Sequence, residues 1–212
     1  MKIIGISGKK QSGKTTAVED LYNRARRQFN WDGWDIEVIN FASSLKAVVN
    51  GFWIEPVLGR QLRWDEWDNE KTKNTKHPCG LTYRELLQEI GTTQWRKLWP
   101  DIWIENWKSL LPTKNDRISV VLVPDVRFPN EVKCIQDLGG VVIRLLRNPY
   151  NDKHESETAL NWLDGEYWNP PQSEAAKKIY TMHFDAFVDN RNMDIAEQND
   201  AVWKLVTEKK WI

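Results

Sequence analysis

Eight residues near the start of the chain, Gly8-Lys9-Lys10-Gln11-Ser12-Gly13-Lys14-Thr15, have the form G-x-x-x-x-G-K-[ST]. The chemistry of that spacing is the holding of phosphate. Glycines let backbone N–H groups turn inward around anionic oxygens, and a helix starting there adds the positive end of its dipole. Lys14 then reaches the β- and γ-phosphates, while Thr15 offers a hydroxyl to Mg2+. Gly8, Lys10, Ser12, Gly13, Lys14, Thr15 and Thr16 are therefore the candidate nucleotide contacts. The motif carries weight only between a strand and a helix. Ile3-Ile4-Gly5-Ile6 supplies the strand, and Val18, Leu21, Tyr22, Ala25 and Phe29 recur at helical spacing after it. A nucleoside triphosphate, ATP first, is the expected ligand.

A second group of reactive side chains follows the apolar run 118–123, which ends in Pro124-Asp125-Val126-Arg127. An unpaired carboxylate at the end of a buried strand is costly unless a cation binds it. Asp125 is thus a candidate catalytic residue and metal ligand, for Mg2+ or an acceptor hydroxyl. Arg127 lies two residues on and so on the same side of the chain, suited to an anionic acceptor; pairing with Glu131 is its structural alternative. The arrangement suits phosphoryl transfer to a substrate that already bears a phosphate. Arg147, directly after a buried strand, is the candidate charge of a lid over the transferring group. Glu157 either orients a lid arginine or caps a helix over 158–163. Arg84, Gln88, Thr92 and Arg96 recur at spacings that place them on one helical face. Trp103 shares a stripe with Trp107 and Leu110, so it reads equally as core or as a stacking surface.

The elements that must position these groups alternate. Strands are expected at 3–6, 35–41, 118–123, 141–146 and 184–188, with helices after the phosphate motif and over 45–52, 130–138 and 194–209. Ser43 or Ser44 is the natural N-cap of the second helix. Thr82-Tyr83-Arg84-Glu85 has the form of a capping box. Strands alternating with helices predict an α/β fold of three layers around a central parallel sheet, with ligands beyond the carboxyl ends of its strands. The expected organisation is a single P-loop kinase domain: a core of 1–53, 113–150 and 180–212, a helical insertion of about 54–112, and a lid of about 147–175. Residues 54–80 read as a mobile flap. Trp53, Trp64 and Trp67 offer the other reading, a fixed contact of a homodimer.

Bulk properties narrow the classes. The 30 Lys and Arg residues balance 30 Asp and Glu residues, so no global field points to nucleic acid. Cys79 and Cys134 make no disulfide framework, and three scattered His make no metal-ligand spacing. The apolar start is too short for a signal peptide and no run reaches membrane-spanning length. A cytoplasmic protein is expected. Thirteen Trp is a high count, and some are expected to line a ligand groove. No N-K-x-D stretch supports a GTPase, and the strand end lacks the adjacent acids of a motor.

Together, several stretches resemble the deoxynucleoside monophosphate kinases of tailed bacteriophages: 8–16 (GKKQSGKTT), 40–46 (NFASSLK), 83–92 (YRELLQEIGT) with Arg96 and Trp103, 125–131 (DVRFPNE), 139–147 (GGVVIRLLR) and 154–158 (HESET). They run through nearly the whole chain in order, and DVRF-x-NE with RELLQ-x-x-GT is the most specific part. The resemblance implies ATP-dependent phosphorylation of a (deoxy)nucleoside monophosphate, with ATP and Mg2+. It implies that Lys46, Arg84, Gln88, Thr92, Arg96, Trp103 and Arg127 bind the acceptor, and that Asn190 borders the adenine. One departure is Thr15, where that family often has Asp. Animal phosphomevalonate kinases share a related pattern and are the second enzyme reading. A P-loop ATPase module acting on a macromolecular partner is the alternative of another class.

Overall fold

A computed structural model describes residues 1–31, 35–63, 65–113, 118–150, 153–161 and 183–212. The chain forms two compact units, one of Met1–Asn40 with Leu110–Ile212, the other of Phe41–Ser109.

The first unit is built on five parallel strands: β1 (Lys2–Ser7), β2 (Ile36–Val38), β3 (Val120–Val126), β4 (Val141–Leu145) and β5 (Ala186–Val188). Their order across the sheet is β2-β3-β1-β4-β5. The near-continuous apolar runs of β1, β3 and β4 have the composition of strands covered on both faces. Helices α1 (Lys14–Gln28) and α10 (Ile195–Glu208) share one core with the sheet, where Val18, Leu21, Val202 and Val206 meet Ile4, Ile6, Leu122 and Ile143. Helix α8 (Pro129–Asp137) covers the other face, its Ile135 lying over Gly5 and Gly140. This is the expected three-layer α/β arrangement.

Two strands differ from expectation. β2 has three paired residues rather than seven, because its register against β3 runs only from Ile36 to Val38. β3 extends to Val126 and so contains Pro124 and Asp125. Pro124 is tolerated because β2 pairs with β3 no further than Leu122, leaving that edge without a ladder partner for the missing N–H.

The second unit is helical. Helix α2 (Ser43–Val49) passes through a π-turn, Asn50–Ile54, into α3 (Glu55–Leu58). Ala42, not Ser43 or Ser44, sits at its N-cap, since the Ala42 carbonyl already accepts the Lys46 N–H at 2.9 Å. Helix α4 (Glu70–Lys73) follows, then α5 (Tyr83–Gln88), a second π-turn (Glu89–Gln94), α6 (Trp95–Leu98) and α7 (Ile102–Leu110). The capping box is present: Thr82 N–H donates to Glu85 at 2.7 Å, and Glu85 N–H to Thr82 Oγ1 at 3.2 Å. Leu45, Val49, Ile54, Leu62, Trp67, Tyr83, Leu86, Ile90 and Trp103 form this unit's core.

The described part of 54–80 is largely exposed and is anchored at a few points. Leu62 and Trp67 are buried, and the Asn50 amide clamps the Leu62 backbone, donating to its carbonyl and accepting its N–H, each at 2.8 Å. Arg60 and Arg63 are engaged locally by Glu66 and Asp65. Trp64 lies outside the described residues. Trp67, Trp103 and Trp107 are core residues, not groove linings. No helix among the described residues is long and apolar enough to cross a membrane.

Candidate active site

The loop between β1 and α1 has the geometry its sequence predicts. Gly13 occupies the N-cap position in the left-handed region (φ 96°), and no side chain caps the helix. The first-turn N–H groups of α1 are therefore left for an anion, and no acidic residue lies in that turn to compete. A side chain at Gly13 would also run into Gln198. Ser12 Oγ is buried with no hydrogen-bond partner among the described residues. Lys14 is buried, and its ammonium donates to the Gly8 carbonyl at 2.8 Å and the Lys9 carbonyl at 2.6 Å. Thr15 is exposed and Thr16 half-buried at the start of α1.

Behind the loop stands a buried amide pair. Asn190, fully buried, donates to the Ser12 carbonyl at 2.8 Å and to Gln198 Oε1 at 2.5 Å, while its own Oδ1 accepts the Arg147 N–H at 2.7 Å. Gln198 donates in turn to the Gly13 carbonyl at 3.1 Å. The side chain of Asn190 is thus engaged with the loop and supports the phosphate cradle. Arg147 is engaged at the same place. Its Nε donates to the Asn190 carbonyl at 3.0 Å and its Nη2 to the Met193 carbonyl, so the guanidinium ties down the turn before α10. Most of the expected lid, 151–152 and 162–175, lies outside the described residues.

The strand neighbouring β1 ends in the second group. Ser7, opposite Val126 in the register, donates to the Val126 carbonyl at 2.8 Å and accepts from Arg144 at 3.0 Å. Asp125 and Arg127, which flank Val126 in sequence, are half-buried. Glu131 accepts the Arg127 N–H at 2.7 Å and the Phe128 N–H at 3.0 Å. The anticipated Arg127–Glu131 partnership is therefore a backbone one, and it fixes the turn that presents the side chain. The guanidinium itself pairs with Glu157.

Glu157 is the residue that sequence reasoning placed least well. It lies in α9 (Glu155–Thr158), is buried, and accepts the Lys10 N–H of the phosphate loop at 2.6 Å. The arginine it pairs with is Arg127, and residues 162 and 163 of the helix it was expected to cap lie outside the described residues; His154 caps α9, accepting from the Ser156 N–H at 3.2 Å. Gln198 went unnoticed as well, although one signal exists. It stands four residues before Val202 and eight before Val206, a buried amide on an otherwise apolar stripe.

The second unit holds the remaining expected residues. Arg84 pairs with Glu70 at 2.7 Å, and its buried Nε has no hydrogen-bond partner among the described residues. Gln88, Thr92 and Arg96 are half-buried, Arg96 donating to the Pro100 carbonyl at 3.3 Å. The π-turn at Glu89–Gln94 interrupts the single face that regular helical spacing predicts. Gly91 belongs to that turn rather than breaking the helix; it lets Leu45 approach, and its carbonyl accepts from Trp103 Nε1 at 2.8 Å. Trp103 is 3% exposed and stacks on Trp95 at 5.3 Å between ring centres. It packs in this unit's core, the first of its two expected readings. Lys46 is buried in α2.

No family model matches the chain. A protein of Acanthamoeba polyphaga mimivirus, provisionally named a deoxynucleotide monophosphate kinase, is 32% identical over 176 residues, which span 76% of this chain and 82% of that protein. Among solved structures, shikimate kinase from Acinetobacter baumannii aligns with 99% of this chain and 95% of its own at 13% identity and a TM-score of 0.42. Dephospho-CoA kinase from Campylobacter jejuni aligns with 98% and 96% at 15% identity and a TM-score of 0.40. Superpositions that loose bear on neither substrate nor mechanism. The identity to the viral relative and its extent along both chains are sufficient for assignment: the chain belongs to the deoxynucleotide monophosphate kinase family.

Proposed function

We propose that this protein transfers the γ-phosphoryl group of ATP to a deoxynucleoside monophosphate, giving ADP and the diphosphate. The observation that carries the reading is the placement of Asp125 and Arg127 at the end of β3, hydrogen-bonded neighbour of the strand that feeds the phosphate loop. A carboxylate and a guanidinium there add an acceptor side to a nucleotide site, which a plain ATPase does not need. The name of the viral relative supports the same substrate class.

Residue roles follow from chemistry. Loop N–H groups of Gly8, Lys10, Ser12 and Gly13 with Thr16 hold the triphosphate, and Lys14 exchanges its carbonyl partners for β- and γ-oxygens. Thr15 and Asp125 are oxygen donors of the hard type that Mg2+ takes; bound there, the ion would offset phosphate charge. Arg127 takes the acceptor phosphate. Lys46 and, within the stretch of about 54–112 that we propose as acceptor-binding, Arg84, Gln88, Thr92 and Arg96 are the further candidate contacts of the acceptor. We propose that the reaction takes place in the cytoplasm, and the resemblance of DVRF-x-NE supports functional kinship with the bacteriophage enzymes.

The test is ADP formation from ATP with each dNMP, NMP and phosphomevalonate in turn. A kinase of this class forms ADP only with a nucleotide acceptor. Phosphomevalonate as sole acceptor would give the mevalonate-type reading, and acceptor-independent ADP the ATPase one.

A further inference from the structure

The segment 153–161 lays a carboxylate on the phosphate loop. Glu157 is 8% exposed, and its Oε2 accepts the Lys10 N–H at 2.6 Å while its Oε1 pairs with the Arg127 guanidinium. Lys9 adds a second tie, its ammonium donating to the Glu157 carbonyl and to Asn161 Oδ1. Lys14, meanwhile, is folded back on the Gly8 and Lys9 carbonyls at 2.8 and 2.6 Å. A loop N–H and an arginine are donors suited to a phosphate, and an ionised carboxylate offers them the same charge sign and acceptor-only oxygens. One buried side chain therefore holds both a donor assigned to ATP and the donor assigned to the acceptor.

We propose that Glu157 is an internal anion that occupies Lys10 N–H and Arg127 until a nucleotide phosphate displaces it, so that Arg127 becomes available to the acceptor only once ATP is bound. This rests on reading the loop as a nucleotide site and Arg127 as an acceptor-phosphate ligand. The carboxylate and the incoming phosphate compete, so apparent ATP affinity falls by the fraction of molecules in which Glu157 holds the loop. Release of Arg127 by ATP then strengthens acceptor binding, and by linkage the acceptor strengthens ATP binding by the same factor.

The experiment is calorimetric titration of a non-hydrolysable ATP analogue into wild type, Glu157→Gln and Lys14→Ala, then of dNMP with and without the analogue. In Glu157→Gln the side chain keeps its size but is no longer an anion. Analogue binding should tighten about tenfold, and dNMP affinity should no longer depend on the analogue. Equal or weaker analogue binding in Glu157→Gln, beside Lys14-dependent binding in wild type, would overturn the proposal and make Glu157 a fixed positioning residue for Arg127; the nucleotide reading would survive. A wild type that binds no analogue would overturn both. A measurement on wild type alone guards against a variant that fails to fold. Hydrogen exchange across 153–161 should speed up when the analogue is added without acceptor, and slowing or no change there would equally overturn the proposal.

Discussion

The side-chain amide of Asn190 donates to the main-chain carbonyl of Ser12 at 2.8 Å, across 178 residues of sequence. Both groups are buried, so the bond has no water to replace it. Asn190→Ala leaves the Ser12 carbonyl, the Arg147 N–H and Gln198 without that partner. It should lower stability by about 2–3 kcal/mol, read as a shift in denaturant midpoint. The KM for ATP should rise more than that for the acceptor, because the amide holds the phosphate loop directly.

Trp103→Phe tests the core assignment of that residue. One aromatic ring is kept, but the indole's second ring and its bond to the Gly91 carbonyl at 2.8 Å are lost. Stability should fall by about 1–2 kcal/mol. Relative kcat/KM among the dNMPs should not move, whereas a shift in base preference would restore a stacking role.

Arg127→Lys keeps the charge and loses the planar fork. The acceptor KM should rise about tenfold, equivalent to about 1.4 kcal/mol, with a smaller change for ATP. Equal losses for both substrates would assign Arg127 to structure.

A pH effect is expected away from the site. Hydrogen bonding by Arg60, then by the Arg63 N–H, lowers the Glu66 carboxyl from its ordinary 4.5 to about 2. A depressed carboxylate contributes stability that is fully present above its unfolded value and lost as pH falls through its folded one. The contribution of this pair therefore begins to fade below about pH 4.5 and is gone below about pH 2. In Arg60→Gln the Glu66 titration, followed by carboxyl carbon NMR, should move up from about 2 toward 4.5. No movement would mean that the Arg63 N–H alone holds it.

Much of this molecule is legible in local pattern. The phosphate loop, the buried strands and the capping box at Thr82 each depend on residues close in sequence, where glycine placement, apolar runs and an S/T-x-x-E spacing have direct physical causes. The contacts that define the site do not. Glu157 reaches Lys10 across 147 residues, and Asn190 reaches Ser12 only because β5, paired with β4, and α10, packed with α1, bring the end of the chain back to the phosphate loop. The π-turn at Glu89–Gln94 leaves no mark in a pattern read at ordinary helical spacing, so that spacing puts Arg84, Gln88, Thr92 and Arg96 on one straight face that the backbone does not keep. Trp103 was ambiguous for a different reason: a buried indole and a stacking surface need the same residue, and only its partners, Trp95 and the Gly91 carbonyl, separate them.

The central claim is acceptor-dependent transfer by the Lys14 site. The most direct measurement mixes ATP, Mg2+ and one dNMP at a time with wild type and Lys14→Ala, and follows ADP and deoxynucleoside diphosphate together. Lys14→Ala removes no residue of either core and should stay folded, as circular dichroism would record. The account predicts that wild type forms the two products in equal amounts with at least one dNMP and almost no ADP without it, and that Lys14→Ala forms neither. ADP produced at the same rate with and without every dNMP, or turnover undiminished in Lys14→Ala, would contradict it.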